Sequence, residues 1–77
     1  MELWQLQRRV LLACTRAADA GIKPASIYYA LLAEYTDSER MDDMYLEARE
    51  NFADILDMRI SEAIRNRNND RNAGMDA

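Results

Sequence analysis

The stretch Thr36–Arg67, TDSERMDDMYLEARENFADILDMRISEAIRNR, decides how this chain is read. It contains no Gly and no Pro, so nothing in it compels a break. Thr36-Asp37-Ser38-Glu39 has the capping-box pattern, in which a hydroxyl and a carboxylate exchange hydrogen bonds at a helix start. A helix is therefore expected over 37–67. Its main apolar stripe comprises Met41, Met44, Tyr45, Ala48, Phe52, Ile55, Leu56 and Ala63. Leu46, Ala53 and Ile60 recur every seven residues, with Ile64 beside them, and mark a second seam about 100° from the first. Such a seam is either the edge of a broad core face or a surface for self-association. In a chain too short to bury much of itself, we assign Leu46, Ala53, Ile60 and Ile64 to a homodimer contact.

Upstream, Glu2–Ala20 carries Leu3, Leu6, Val10, Ala13, Cys14 and Ala17 on one stripe, widened by Trp4, Leu11 and Ala18. Leu12 falls on the polar side. Gly21 suits the left-handed position that ends a helix, and Ile22 suits the apolar residue that closes back on the last turn. Pro24 suits the first turn of a second helix over 24–35, with Ile27, Tyr28, Leu31 and Tyr35 on one face. The expected architecture is all-α: three helices at about 2–20, 24–35 and 37–67 form a single domain over 1–67. The Asn-rich segment 68–77 is expected to be a flexible tail.

Charge is unevenly distributed. The whole chain of 77 residues carries −4, yet residues 34–57 hold nine acids against Arg40 and Arg49. Asp43, Glu47, Glu50, Asp54 and Asp57 follow alternating four- and three-residue steps and line one side of the expected helix. Like charges at these spacings each cost a few tenths of a kcal/mol, so something must offset the ridge. An acidic ridge disfavours phosphate binding and favours a basic partner. Carboxylates roughly 5–6 Å apart along a helix imitate the spacing of nucleic-acid phosphates. A basic protein that handles nucleic acid is the expected partner, with Tyr29 a further contact because its face holds no other large apolar residue. In size and charge the chain resembles inhibitors encoded by phages and mobile elements, including anti-CRISPR and anti-restriction proteins.

The run Ala17-Ala18-Asp19-Ala20-Gly21-Ile22-Lys23-Pro24-Ala25-Ser26-Ile27-Tyr28-Tyr29-Ala30-Leu31 resembles the helix-turn-helix of bacterial repressors. Within it, AGIKPASIYYAL looks like the recognition segment of tetracycline-repressor-type regulators. That resemblance implies Lys23, Ser26, Tyr28 and Tyr29 at a DNA groove, with Arg8, Arg9 and Arg16 near phosphates. The outward positions Lys23, Pro24, Ala25, Tyr28, Tyr29 and Leu32 offer few groups that read base edges. Direct DNA binding is the alternative to the inhibitor reading.

The chain has no His to act as a general base or metal ligand and only one Cys, so no internal disulfide can form. Cys14 lies on the apolar stripe, as a structural thiol does. No Gly-rich phosphate loop is present. We therefore expect no enzyme activity, no cofactor and no metal. No apolar run reaches the ~18 residues of a membrane span. An unpaired thiol suits a reducing cytoplasm.

Overall fold

The computed structural model describes residues 1–35 and 41–76, with side chains described as far as Asn69. It contains three helices, α1 (Leu3–Asp19), α2 (Pro24–Tyr35) and α3 (Leu46–Asp76), and a 3-10 turn at Met41–Asp43. No strand occurs among the described residues. At about 1.5 Å per residue, the 31 residues of α3 account for the 48 Å long dimension of the molecule. The other two helices lie along it.

The turn between α1 and α2 forms as its residues dictate. Gly21 has φ +80°. Its N–H donates to the Ala18 carbonyl at 3.0 Å, and the Ile22 N–H donates to the Ala17 carbonyl at 2.9 Å. These two bonds are the Schellman pair, and Ile22 packs back against the core beside them. Pro24 then opens α2, where its missing N–H breaks no bond.

Contacts between the helices set their directions. The Met1 ammonium meets Glu50, Arg9 meets Asp54 and Asp57, and Arg16 meets Ser61, so α1 runs parallel to α3. The middle helix, α2, returns antiparallel. Its Ser26 end lies beside Asn66, and Glu34 at its other end takes two hydrogen bonds from Arg59, at 3.2 and 2.7 Å. Phe52 is fully buried in the core to which all three helices contribute. The rings of Tyr28 and Tyr35 approach it edge-on, with centroids 5.8 and 5.7 Å away. This geometry sets the positive ring edge against the negative ring face. Leu6, Val10, Ala13, Ala17, Leu31 and Leu32 complete the core from α1 and α2.

Two expectations about the third helix are corrected. It starts at Leu46 rather than at 37. Asp42 and Asp43 lie in the 3-10 turn, closed by the Met44 N–H donating to the Met41 carbonyl at 3.2 Å. Asp side chains compete with the helical backbone and are better placed just before a helix, against the positive end of its dipole. Tyr45, expected on the core stripe, is consequently exposed. The expected capping box at Thr36–Glu39 lies outside the described residues.

The second correction concerns the self-association seam. Ala53 and Ile60 are 1% and 0% exposed inside the core, and Ile64 is partly buried against it. Only Leu46 is exposed. The two apolar stripes of α3 are the sides of one broad face. Phe52 turns towards α2, while Ala53 and Ile60 lie about 100° and 80° round the helix from it, towards α1. A helix packed against two neighbours needs that width. The flexible tail expected over 68–77 falls almost wholly on residues whose side chains lie outside the described set, while the backbone of α3 is helical to Asp76.

Gly21 gives a direct check on the turn. Gly21→Ala forces a Cβ into the left-handed region, at a cost of about 1–2 kcal/mol. The added Cβ would also meet Nη2 of Arg67 at 2.9 Å, although that exposed side chain can move aside. A urea titration should show the destabilisation, and an unchanged midpoint would contradict this account of the turn.

Candidate interaction surface

The acidic ridge does not form a row pointing away from the bundle. One turn of α3 after another places Glu50, Asp54 and Asp57 on the flank that faces α1. There they meet cations of the same chain. The Met1 ammonium donates to Glu50 Oε1 at 3.1 Å. Nη1 of Arg9 donates to Asp54 Oδ1 at 3.2 Å, and its Nη2 donates to Asp57 Oδ2. Nη2 of Arg16 donates to the Asp57 carbonyl and to Ser61 Oγ, both at 3.0 Å. The hydrogen bond to Asp57 raises the Arg9 pKa above its ordinary value, partly opposed by burial, with Asp54 adding to the rise. Repulsion along the ridge is thus offset within the chain.

Asp43 sits in the 3-10 turn, outside the register of α3. Glu47, in the first turn of α3, is exposed. The paired carboxylates also keep a solvent side: Glu50 is 60% and Asp54 72% exposed, while Asp57 is 37%. The outer edge of α3 therefore presents Glu47, Glu50 and Asp54 to solvent, with Asp57 turned furthest in.

Tyr29 is exposed and packs edge-to-face on Tyr28, centroids 5.1 Å apart. Both line a shallow apolar cleft with Val10, Cys14, Pro24 and Ala25. Burial pushes the Cys14 thiol up, so it is neutral at pH 7, and burial likewise raises the Tyr28 phenol. The structure therefore gives Cys14 no thiolate character. No group of three or more His, Cys, Asp or Glu is placed to hold a metal among the described residues. Nor is any described helix long and apolar enough to cross a membrane.

The residues of the helix-turn-helix resemblance occupy mixed surroundings. Ser26 Oγ donates to the Lys23 carbonyl at 3.0 Å, and Lys23 is exposed. Leu32, read as outward, is buried, and Tyr28 is half-buried against Phe52. Arg9 and Arg16 are engaged with α3, whereas Arg8 is exposed.

One surface escaped the reading of the residues. Trp4 and Leu11, expected to widen the core stripe of α1, are 58% and 66% exposed, and Leu12 is 60% exposed. Trp4 and Leu12 line a cleft with Met1, Gln5, Arg8, Arg9 and Glu50. The isolated position of Leu12 on the polar side was the signal available in the sequence. The chain matches no protein-family model, and no curated protein or solved structure matches it.

Arg9→Gln should lower the unfolding free energy by about 1 kcal/mol at low salt, the upper end for partly exposed pairs, because one cation serves two carboxylates. The loss should shrink at ~1 M salt, where screening extends only a few ångströms. Arg8→Gln in dilute solution should change stability by less than about 0.5 kcal/mol. Equal effects of the two substitutions in denaturant titrations would contradict the assigned role of Arg9.

Proposed function

We propose that this chain is a non-enzymatic interaction protein, a small acidic inhibitor or adaptor that docks on a basic partner handling nucleic acid. One observation carries this reading. Along the outer edge of α3, Glu50 and Asp54 keep most of their side chains in solvent even though each has an internal cation on one side. Exposed Glu47 extends that edge. A row of carboxylates roughly 5–6 Å apart suits Lys and Arg side chains approaching from outside. The net charge of −4 would steer such a partner from a distance. Asp43 and Asp57 border the contact, and Tyr29 offers an aromatic anchor on another face. The likeness in size and charge to phage-encoded anti-CRISPR and anti-restriction proteins favours the inhibitor form, acting in the cytoplasm.

A pull-down from host lysate with the wild-type chain and with Glu47→Lys/Glu50→Lys tests this. The wild type should retain basic, nucleic-acid-binding proteins that elute with salt. The double variant, with its helix content unchanged, should retain them at least about tenfold less well, since opposed like charges cost several kcal/mol. Retention that is equal for both chains and persists at high salt would overturn the proposal. A shift of duplex DNA by the chain alone at low salt would favour the helix-turn-helix alternative.

A further inference from the structure

The solvent side of α1 carries a second pattern, separate from the acidic edge of α3. Trp4, Arg8, Leu11, Leu12, Thr15 and Asp19 are all exposed. Taking 100° per residue, they fall within about 100° of one another, opposite the buried Leu6, Val10, Ala13 and Ala17. Leu11 and Leu12 lie near the middle of the strip's length, one on each of its margins. Its one cation, Arg8, lies on the N-terminal side of them and its one anion, Asp19, on the C-terminal side. Neither Arg8 nor Asp19 has an ion pair or side-chain hydrogen bond among the described residues.

A strip with an apolar centre and opposite charges at its two ends is complementary to itself when reversed. We propose that α1 pairs antiparallel with α1 of a second copy of this chain. In that arrangement Leu11 and Leu12 flank the two-fold axis, each Trp4 lies across from Asp19 of the other copy, and each Arg8, across from Thr15, reaches one turn along towards that Asp19. With the axis between residues 11 and 12, Arg8 and Asp19 of the other copy are offset by four residues, about 6 Å along the helix, within reach of an extended Arg side chain. Parallel pairing would oppose Arg8 to Arg8 and Asp19 to Asp19, so the charges select the antiparallel form. A two-fold contact of this kind uses the same surface on both copies and closes at the dimer. One helix face is small for a stable interface, so the dimer is reversible, with a Kd on the order of tens of micromolar or weaker. This contact takes the place of the seam of Leu46, Ala53, Ile60 and Ile64, of which Ala53 and Ile60 are buried in the core, and does not depend on the acidic-edge reading.

Sedimentation velocity of the full chain over rising concentration tests it. The expected result is a shift from the 8.9 kDa monomer to a species of twice that mass. Leu11→Ser/Leu12→Ser, with circular dichroism unchanged, should leave only monomer. Arg8→Asp and Asp19→Arg should each weaken association about tenfold, and the double reversal should restore it to near the wild-type value. A monomer at all concentrations, a dimer indifferent to Leu11→Ser/Leu12→Ser, or a double reversal no better than either single change would each overturn the proposal.

Discussion

The guanidinium of Arg9, held between Asp54 and Asp57, fixes which edge of α1 meets the flank of α3. Most of the energy holding α1 comes from burying Leu6, Val10, Ala13 and Ala17. Apolar burial is non-directional, however, and does not by itself choose which edge of a wide stripe is covered. The ion pairs are directional. Arg9 and Arg16 lie on the same edge of α1 and both reach the α3 flank that carries Asp57. Trp4, Leu11 and Leu12 are thereby turned out to solvent. The same contacts offset the repulsion of a carboxylate row that would otherwise weaken α3.

Much of the fold was legible because local rules and packing agree there. Gly21, Ile22 and Pro24 specify a helix end, a closing contact and a helix start, and all three behave accordingly. Phe52, Leu56, Leu6 and Leu31 were recognisable as core from helical spacing alone. The start of α3 was less legible. An uninterrupted run without Gly or Pro allows a helix from 37 but does not compel one, and Asp42 and Asp43 do better in a turn before the helix dipole. Ala53 and Ile60 were misplaced because periodicity measures how wide an apolar face is without saying how many neighbours cover it. Two shorter helices flank α3, so both stripes are needed within one copy.

The acidic row illustrates the same limit. Its spacing along α3 was correct from Glu47 to Asp57, but its orientation depended on cations more than forty positions away in the sequence. Helical phase alone cannot show that Arg9 faces Asp54. Trp4 and Leu11 failed for the converse reason. They satisfy an apolar stripe on paper, yet among the described residues the helix packs on α2 and α3, and the far edge of the stripe is left exposed. Exposed large side chains on a small chain with one modest core are a natural place to look for contacts with other molecules.

Trp4, the only Trp in the chain, reports directly on the rotation of α1. Quenching of its fluorescence by acrylamide in dilute solution measures its exposure directly. The expected result is quenching close to that of the denatured chain, which becomes weaker as concentration rises and copies associate. A Trp4 shielded at high dilution would place it in the core stripe and contradict the account.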